Sequence, residues 1–226
     1  MLPFYVTIVS TGGAALIAMY AFLRFFLSYR ERLTSSLFYL SMFFLLFSIN
    51  YSVMLLRAVF GMDMLFYGIS NVFGPLALTF ITAFAVSLVW PGRDRLSFAF
   101  SLPMFAIFLV ASFCVEPGTV LFYEGVSEVV YPLYFVVITL LTISSLGFFA
   151  SVTFFAYAFR VRWSSLRRGG LMIASGFLLL AVFTYLFDWP GLFGFLLPLT
   201  RAMGAVSVCL IYLGAMTLQR ATTPSI

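Results

Sequence analysis

Long apolar runs and short polar breaks alternate along the whole chain. Seven runs stand out, over about residues 3–28, 34–60, 64–90, 96–115, 131–159, 170–187 and 193–218. Each is close to the twenty or so apolar residues that a helix needs to cross about 30 Å of hydrocarbon. Lipid offers backbone amides no partners, so a run of this length folds as a helix that satisfies them internally. The pattern predicts an all-α fold: a polytopic membrane protein, one bundle of seven transmembrane helices in a single domain over residues 1–226. Seven helices of about 25 residues take up roughly 175 residues. That leaves loops and ends, and no room for a soluble effector domain.

The polar breaks are of two kinds, and the kinds alternate. Ten of the twelve arginines stand in four places: Arg24, Arg30 and Arg32; Arg93 and Arg95; Arg160, Arg162, Arg167 and Arg168; and Arg220. Loops rich in arginine are retained on the cytoplasmic side. The N-terminus is therefore expected outside and the C-terminus in the cytoplasm, in the cell membrane. The inner side carries ten arginines against Glu31 and Asp94, a balance near +8; the outer side carries Arg57 and Arg201 against Asp63, Glu116, Glu124, Glu128 and Asp188, near −3. The formal charge of +5 thus reports topology and attraction to anionic inner-leaflet lipid, and not binding of nucleic acid. The uncharged start, MLPFYVTIV, lacks the basic n-region of a cleavable signal peptide.

Composition agrees: 64% of residues are hydrophobic and 8% charged, where soluble domains run at about half and a quarter. Trp90, Trp163 and Trp189 all fall at expected membrane boundaries, where an apolar ring with one N–H is best satisfied. Trp-Pro-Gly at 90–92 and 189–191 signals tight turns. The one long outer loop, about 116–130, holds three acids and Val120, Leu121, Phe122 and Tyr123, and could lie as a lid over the outer mouth. The fifth run, about 29 residues, would be roughly 43 Å long, so it must tilt, kink or project into the cytoplasm. Cys114 and Cys209 lie at different depths, which argues against a disulfide.

Several chemistries are excluded by what is missing. The chain has no histidine and no lysine, so histidine-ligated haem, histidine-assisted catalysis and a retinal Schiff base are out. All seven acids fall in loops or at helix ends, so intramembrane aspartyl proteolysis and acid-relayed proton transport lack their residue. There is no Gly-rich phosphate loop, no acidic cluster for magnesium and no metal-ligand set. Neither enzymatic activity nor a cofactor is expected.

The most informative single residue is Arg201, about eight residues into the seventh run. A charge at that depth costs a few kcal/mol on insertion scales and should face protein or water. Gly204, Ala205 and Cys209 follow on its face, and Pro198, one turn before, can kink the helix and expose a carbonyl. Asn50 and Arg57 share a face of the second run, and Asn71 and Pro75 one of the third. Tyr51, Tyr185, Asp188 and Asp63 lie at a similar level. Two readings follow. In one, Arg201, Arg57, Asn50, Asn71, Tyr185 and Asp188 form an outer-half site for a small anionic or carbonyl-bearing ligand. In the other, Arg201 pairs with Asp188, or bonds Asn50 and Asn71, and locks the bundle.

Other features carry similar pairs of readings. Small residues at Gly12, Gly13, Ala14, Ala15 and Ala18, and at Ser144, Ser145, Gly147 and Ser151, serve either packing within the bundle or an interface with a partner. Arg160, Arg162, Arg167 and Arg168 serve either retention and lipid contact or docking of a cytoplasmic partner. Arg30-Glu31-Arg32 before Thr34-Ser35-Ser36 is echoed by Arg160-Val161-Arg162 before Ser164-Ser165, and Pro75-Leu76 by Pro198-Leu199. These echoes would fit a parallel 3+1+3 repeat, a plan used by transporters.

Seven spans, an outward N-terminus, short basic inner loops and polar groups in the outer half together resemble the seven-helix membrane modules at the N-termini of prokaryotic sensor kinases. The resemblance covers the whole chain and rests on layout, not on a motif. It implies a sensory or regulatory module that binds a small ligand from outside and signals through a cytoplasmic partner. The chain departs from that pattern by ending at Ile226 with no kinase after Gln219-Arg220. The alternatives are a small transporter or the membrane subunit of a transport complex, with Pro75, Pro103 and Pro198 as hinges, and an accessory or assembly subunit without a ligand.

Overall fold

The computed structural model of the chain describes residues 2–60, 64–114, 120–123, 126–129, 132–182 and 197–222. Among the described residues seven helices carry it: α1 (Leu2–Arg32), α2 (Ser35–Phe60), α3 (Met64–Val89), α4 (Asp94–Cys114), α5 (Leu133–Arg160), α6 (Ser164–Val182) and α7 (Leu197–Thr222). All seven contain spans long and apolar enough to cross a membrane. The protein is therefore a multi-pass helical membrane bundle.

Large apolar side chains point outward as well as inward. Val9, Leu16 and Phe113 are each more than 70% exposed. In water such a surface would aggregate; in a bilayer it is the lipid-facing surface. The core is aromatic. Phe43 of α2 packs on Phe177 of α6, Phe177 stacks on Phe154 of α5, and Phe154 meets Phe84 of α3. Phe25 of α1 joins the cluster through Phe44 and reaches Tyr212 of α7.

Neighbouring helices close a ring in the order α1, α2, α3, α5, α6, α7 and back to α1. α4 stands outside it, against α3 and α5. It fully buries only Ser97, Ser101 and Phe108; Phe98 packs half-buried on Tyr39 and Phe80, Met104 and Ala111 lie against the core, and Leu96, Ile107, Val110 and Phe113 are exposed. Exchanging α1 with α5, α2 with α6 and α3 with α7 maps the ring onto itself, the relation a 3+1+3 plan requires.

Small hydroxyls stitch the ring. Ser48 of α2 donates to the Ala15 carbonyl of α1 at 3.2 Å, and Ser151 of α5 to the Ala174 carbonyl of α6 at 2.9 Å. Ala14, Ala15 and Ala18 are buried, and a Cβ on Gly147 would lie 3.2 Å from Ala181 of α6. Ala14, Ala15 and Ala18 of the first stripe and Gly147 and Ser151 of the second thus pack inside the bundle, while Gly13 has open space beside it.

Some boundaries differ from the hydropathy pattern. α6 begins at Ser164, so Arg167 and Arg168 are helical and only residues 161–163 connect it to α5. Hydropathy drops at the two arginines, but a helical backbone continues through polar residues once it leaves the lipid. α5 contains a π-helical turn at Leu140–Ser144. Such a turn fits an extra residue into the helix, which absorbs part of its surplus length. The turn at 90–92 forms as its residues require: Gly92 has φ +83°, and the Arg93 amide donates to the Trp90 carbonyl at 3.1 Å. The long loop holds a two-stranded antiparallel hairpin, β1 (Val120–Tyr123) and β2 (Val126–Val129), with Val120 opposite Val129. The hairpin lies within the expected loop and leaves the all-α architecture as it stands; β-branched and aromatic residues at 120–123 favour extended backbone. β2 lies beside α2.

Candidate functional site

The end of α2, the start of α3 and the start of α7 meet at one end of the bundle, opposite the arginine groups. α2 presents Asn50, Met54 and Arg57 on one face, at spacings of four and three residues. Ser70 of α3 donates to the Asn50 side-chain oxygen at 2.9 Å. A Cβ on Gly74, one turn further, would lie 3.2 Å from the Asn50 amide nitrogen. Glycine there lets the amide lie directly on α3.

α7 reaches the same face from the other side. Arg201 Nη1 lies 3.8 Å from the Met54 sulfur, and the Asn50 amide lies 3.7 Å from it. One turn along, a Cβ on Gly204 would collide with the Tyr51 hydroxyl. The contacts Arg201–Met54 and Gly204–Tyr51 set an antiparallel register between α7 and α2. That register carries Arg57 to about the level of Pro198, one turn nearer the membrane edge than Arg201.

Both arginines are buried: Arg57 is 6% exposed and Arg201 5%. Two like charges thus lie within about two helical turns of each other, at the end of the bundle that also holds Asn50, Ser70 and Tyr51. A guanidinium is always charged and offers five donors in a planar fork suited to carboxylate or phosphate.

Of the residues expected at this site from sequence, Arg201, Arg57 and Asn50 come together on α2 and α7. Asn71 stands on α3 beside Ser70, half-buried. Tyr185 and Asp188, together with Asp63, lie outside the described residues. Met54, Ser70 and Gly74 were not anticipated. Met54 is four residues after Asn50 and three before Arg57, so helical spacing alone points to it. Ser70 had no such mark, because only the docking of α3 on α2 brings its hydroxyl to the Asn50 side chain.

At the other end, Arg160, Arg162, Arg167 and Arg168 are all exposed, and the Arg167 guanidinium lies 5.7 Å above the Phe159 ring. Arg167 and Arg168 sit in the first turns of α6, where the helix dipole disfavours cations, so they are not there to stabilise the helix. Tyr39 of α2 donates to the Asp94 carboxylate of α4 at 2.5 Å, and Gln219 of α7 to the Ser28 hydroxyl of α1 at 2.7 Å. Both bonds hold the arginine-rich end together. Among the described residues no group of three potential metal ligands occurs, and Cys114 and Cys209 are free.

Comparison with protein-family models, with curated proteins and with solved structures finds no match to this chain.

Proposed function

We propose that the chain is a non-enzymatic sensory module. It takes up a small anionic ligand at the Arg57–Arg201 end from outside the cell and signals through a cytoplasmic partner at the arginine-rich end. The observation that supports this most is the pair of buried arginines on α2 and α7. Each guanidinium offers five donors in a planar fork, and an anion beside both would gain charge-assisted bonds in a buried setting.

The route to the other end is short. α7 runs unbroken from the Arg201 level to Arg220. An anion that draws Arg57 and Arg201 together would move Gly204 against Tyr51 and shift α7 along α6. Transmission requires that the ligand contact two packed states differently. Arg160, Arg162, Arg167 and Arg168 would then be the exposed charges a partner reads.

The orientation is tested by labelling. Cys114 is exposed at the end of α4 away from the arginines, and Cys209 is mid-helix in α7. In intact cells a membrane-impermeant maleimide should label Cys114 in a Cys209→Ala protein; labelling only after the cells are opened would reverse the topology. The ligand reading is tested on purified wild type by a melting-temperature screen of small carboxylates, phosphates and sulfates. Occupancy at 100 times Kd should add about 2.7 kcal/mol, a rise of several degrees. A flat response to every anion would leave the arginines as a structural lock.

The ring of six helices with α4 outside favours a second reading, a small transporter built as 3+1+3. Uptake of a screened anion into liposomes, absent from empty liposomes, would select it over the sensor.

A further inference from the structure

A groove of about 290 Å³ opens on the side of the bundle at the arginine-rich end. Thr82, Val86 and Trp90 of α3 form one wall; Leu96, Ser97 and Phe100 of α4 form the other, and Phe149 of α5 lies against them. Arg93, in the turn between α3 and α4, completes the lining. From Trp90 to Thr82 it runs about 12 Å down α3. The exposed Leu96 and Phe100 flank the buried Ser97 on α4, and the groove runs between them and Val86 and Trp90 of α3.

Its chemistry is divided by depth. The buried hydroxyls in the wall are already satisfied: Thr82 donates to the Thr79 carbonyl at 2.7 Å and Ser97 to the Asp94 carbonyl at 2.5 Å. The wall therefore asks for no polar partner and suits hydrocarbon. Trp90 is 44% exposed, as a boundary tryptophan should be. Arg93 and Arg95 are exposed at the same level, while Asp94, between them, accepts from Tyr39 of α2. A volume of 290 Å³ is at the lower end for a ligand cleft, enough for part of one chain and not for a whole lipid.

We propose that this groove is a binding site for one anionic phospholipid, with its phosphate on Arg93 and an acyl chain between α3 and α4. The occupant follows from the combination of a lateral opening to the bilayer, a satisfied apolar wall and a cation at headgroup level. The site is separate from the Arg57–Arg201 cluster, and stands or falls independently of any ligand there.

Trp90 is the reporter. In a Trp163→Phe, Trp189→Phe protein it is the sole tryptophan. The protein is reconstituted in phosphatidylcholine vesicles doped with brominated phosphatidylglycerol or with brominated phosphatidylcholine, and contact quenching is compared. The anionic lipid should be preferred at Trp90 by about fivefold, the effect of one cation near the surface, and Arg93→Gln should bring the preference close to parity. A protein keeping only Trp163, beside Arg160 and Arg162, should show no change on Arg93→Gln. Equal quenching by the two lipids at Trp90, a preference that survives Arg93→Gln, or a loss of preference at Trp163 as well would each overturn the site.

Discussion

Gly214→Val should lower the melting temperature of the detergent-purified protein by about 10 °C and send much of it into aggregate on size exclusion. α6 and α7 touch backbone to backbone at two levels. At one, a Cβ on Gly214 would stand 2.7 Å from the Gly169 carbonyl oxygen and 2.6 Å from Ile173. At the other, a Cβ on Gly176 would stand 2.9 Å from the Ser207 carbonyl oxygen and 2.7 Å from Ile211. Each isoleucine thus sits on a glycine of the facing helix. The two levels are seven residues apart on both helices, so they form one clasp. A valine cannot fit without parting the helices, because one obstacle is main chain. Overpacking typically costs about 1–3 kcal/mol, and more where backbone must move. For a chain of this size each kcal/mol is worth about 2–4 °C. Gly176→Val should behave alike. Gly13→Ala is the control: nothing lies within 4 Å of a Cβ there, and alanine is the better helix former by about 1 kcal/mol. It should melt no lower than wild type. A Gly214→Val protein that melts normally would mean that α6 and α7 do not pack through this clasp.

Arg201→Met should abolish the melting-temperature response to whichever anion stabilises the wild type. Truncating one member of a buried, charge-assisted contact costs about 2–5 kcal/mol, so affinity should fall by about 30-fold or more. Methionine keeps the length and the apolar stem, and the Met54 sulfur that Arg201 approaches tolerates a thioether neighbour. Arg57→Met should weaken the same response, because Arg57 lies one turn above on the same face of α2 as Met54. The competing outcome is distinct: no anion shifts the wild type, while Arg201→Met melts far lower. That result would make Arg201 a lock between α7 and α2, and the sensor reading would fall.

Much of the architecture was legible along the chain. Seven apolar runs become seven helices because lipid leaves the backbone no other partner, and the positions of the runs hold to within a few residues except at α6. The turn at Trp90-Pro91-Gly92 forms as its residues require. The arginine groups gather at one end of the bundle, since successive antiparallel helices bring alternate connections together. Arg201, Arg57 and Asn50 could be marked as a cluster because polar groups inside apolar runs are rare and helical spacing fixes their faces.

The rest depended on which helix faces meet, and the pattern says little about that. When a helix is apolar on every side, lipid and protein are equally acceptable neighbours, so hydropathy does not separate its core face from its outer one. Nothing in the run of α4 announced that it would fully bury only three residues and line a groove. Gly169, Gly176 and Gly214 looked no different from Gly13, yet three are held against the main chain of another helix and one faces open space. The hairpin at 120–129 and the π turn of α5 are set by backbone pairing that composition only weakly favours. The sequence by itself determined how many times the chain crosses and where its charge collects, because both follow from the cost of moving amides and cations into hydrocarbon. Close packing, which depends on the shapes of surfaces distant in sequence, decided that Met54 stands between Asn50 and Arg201, and that α6 and α7 clasp.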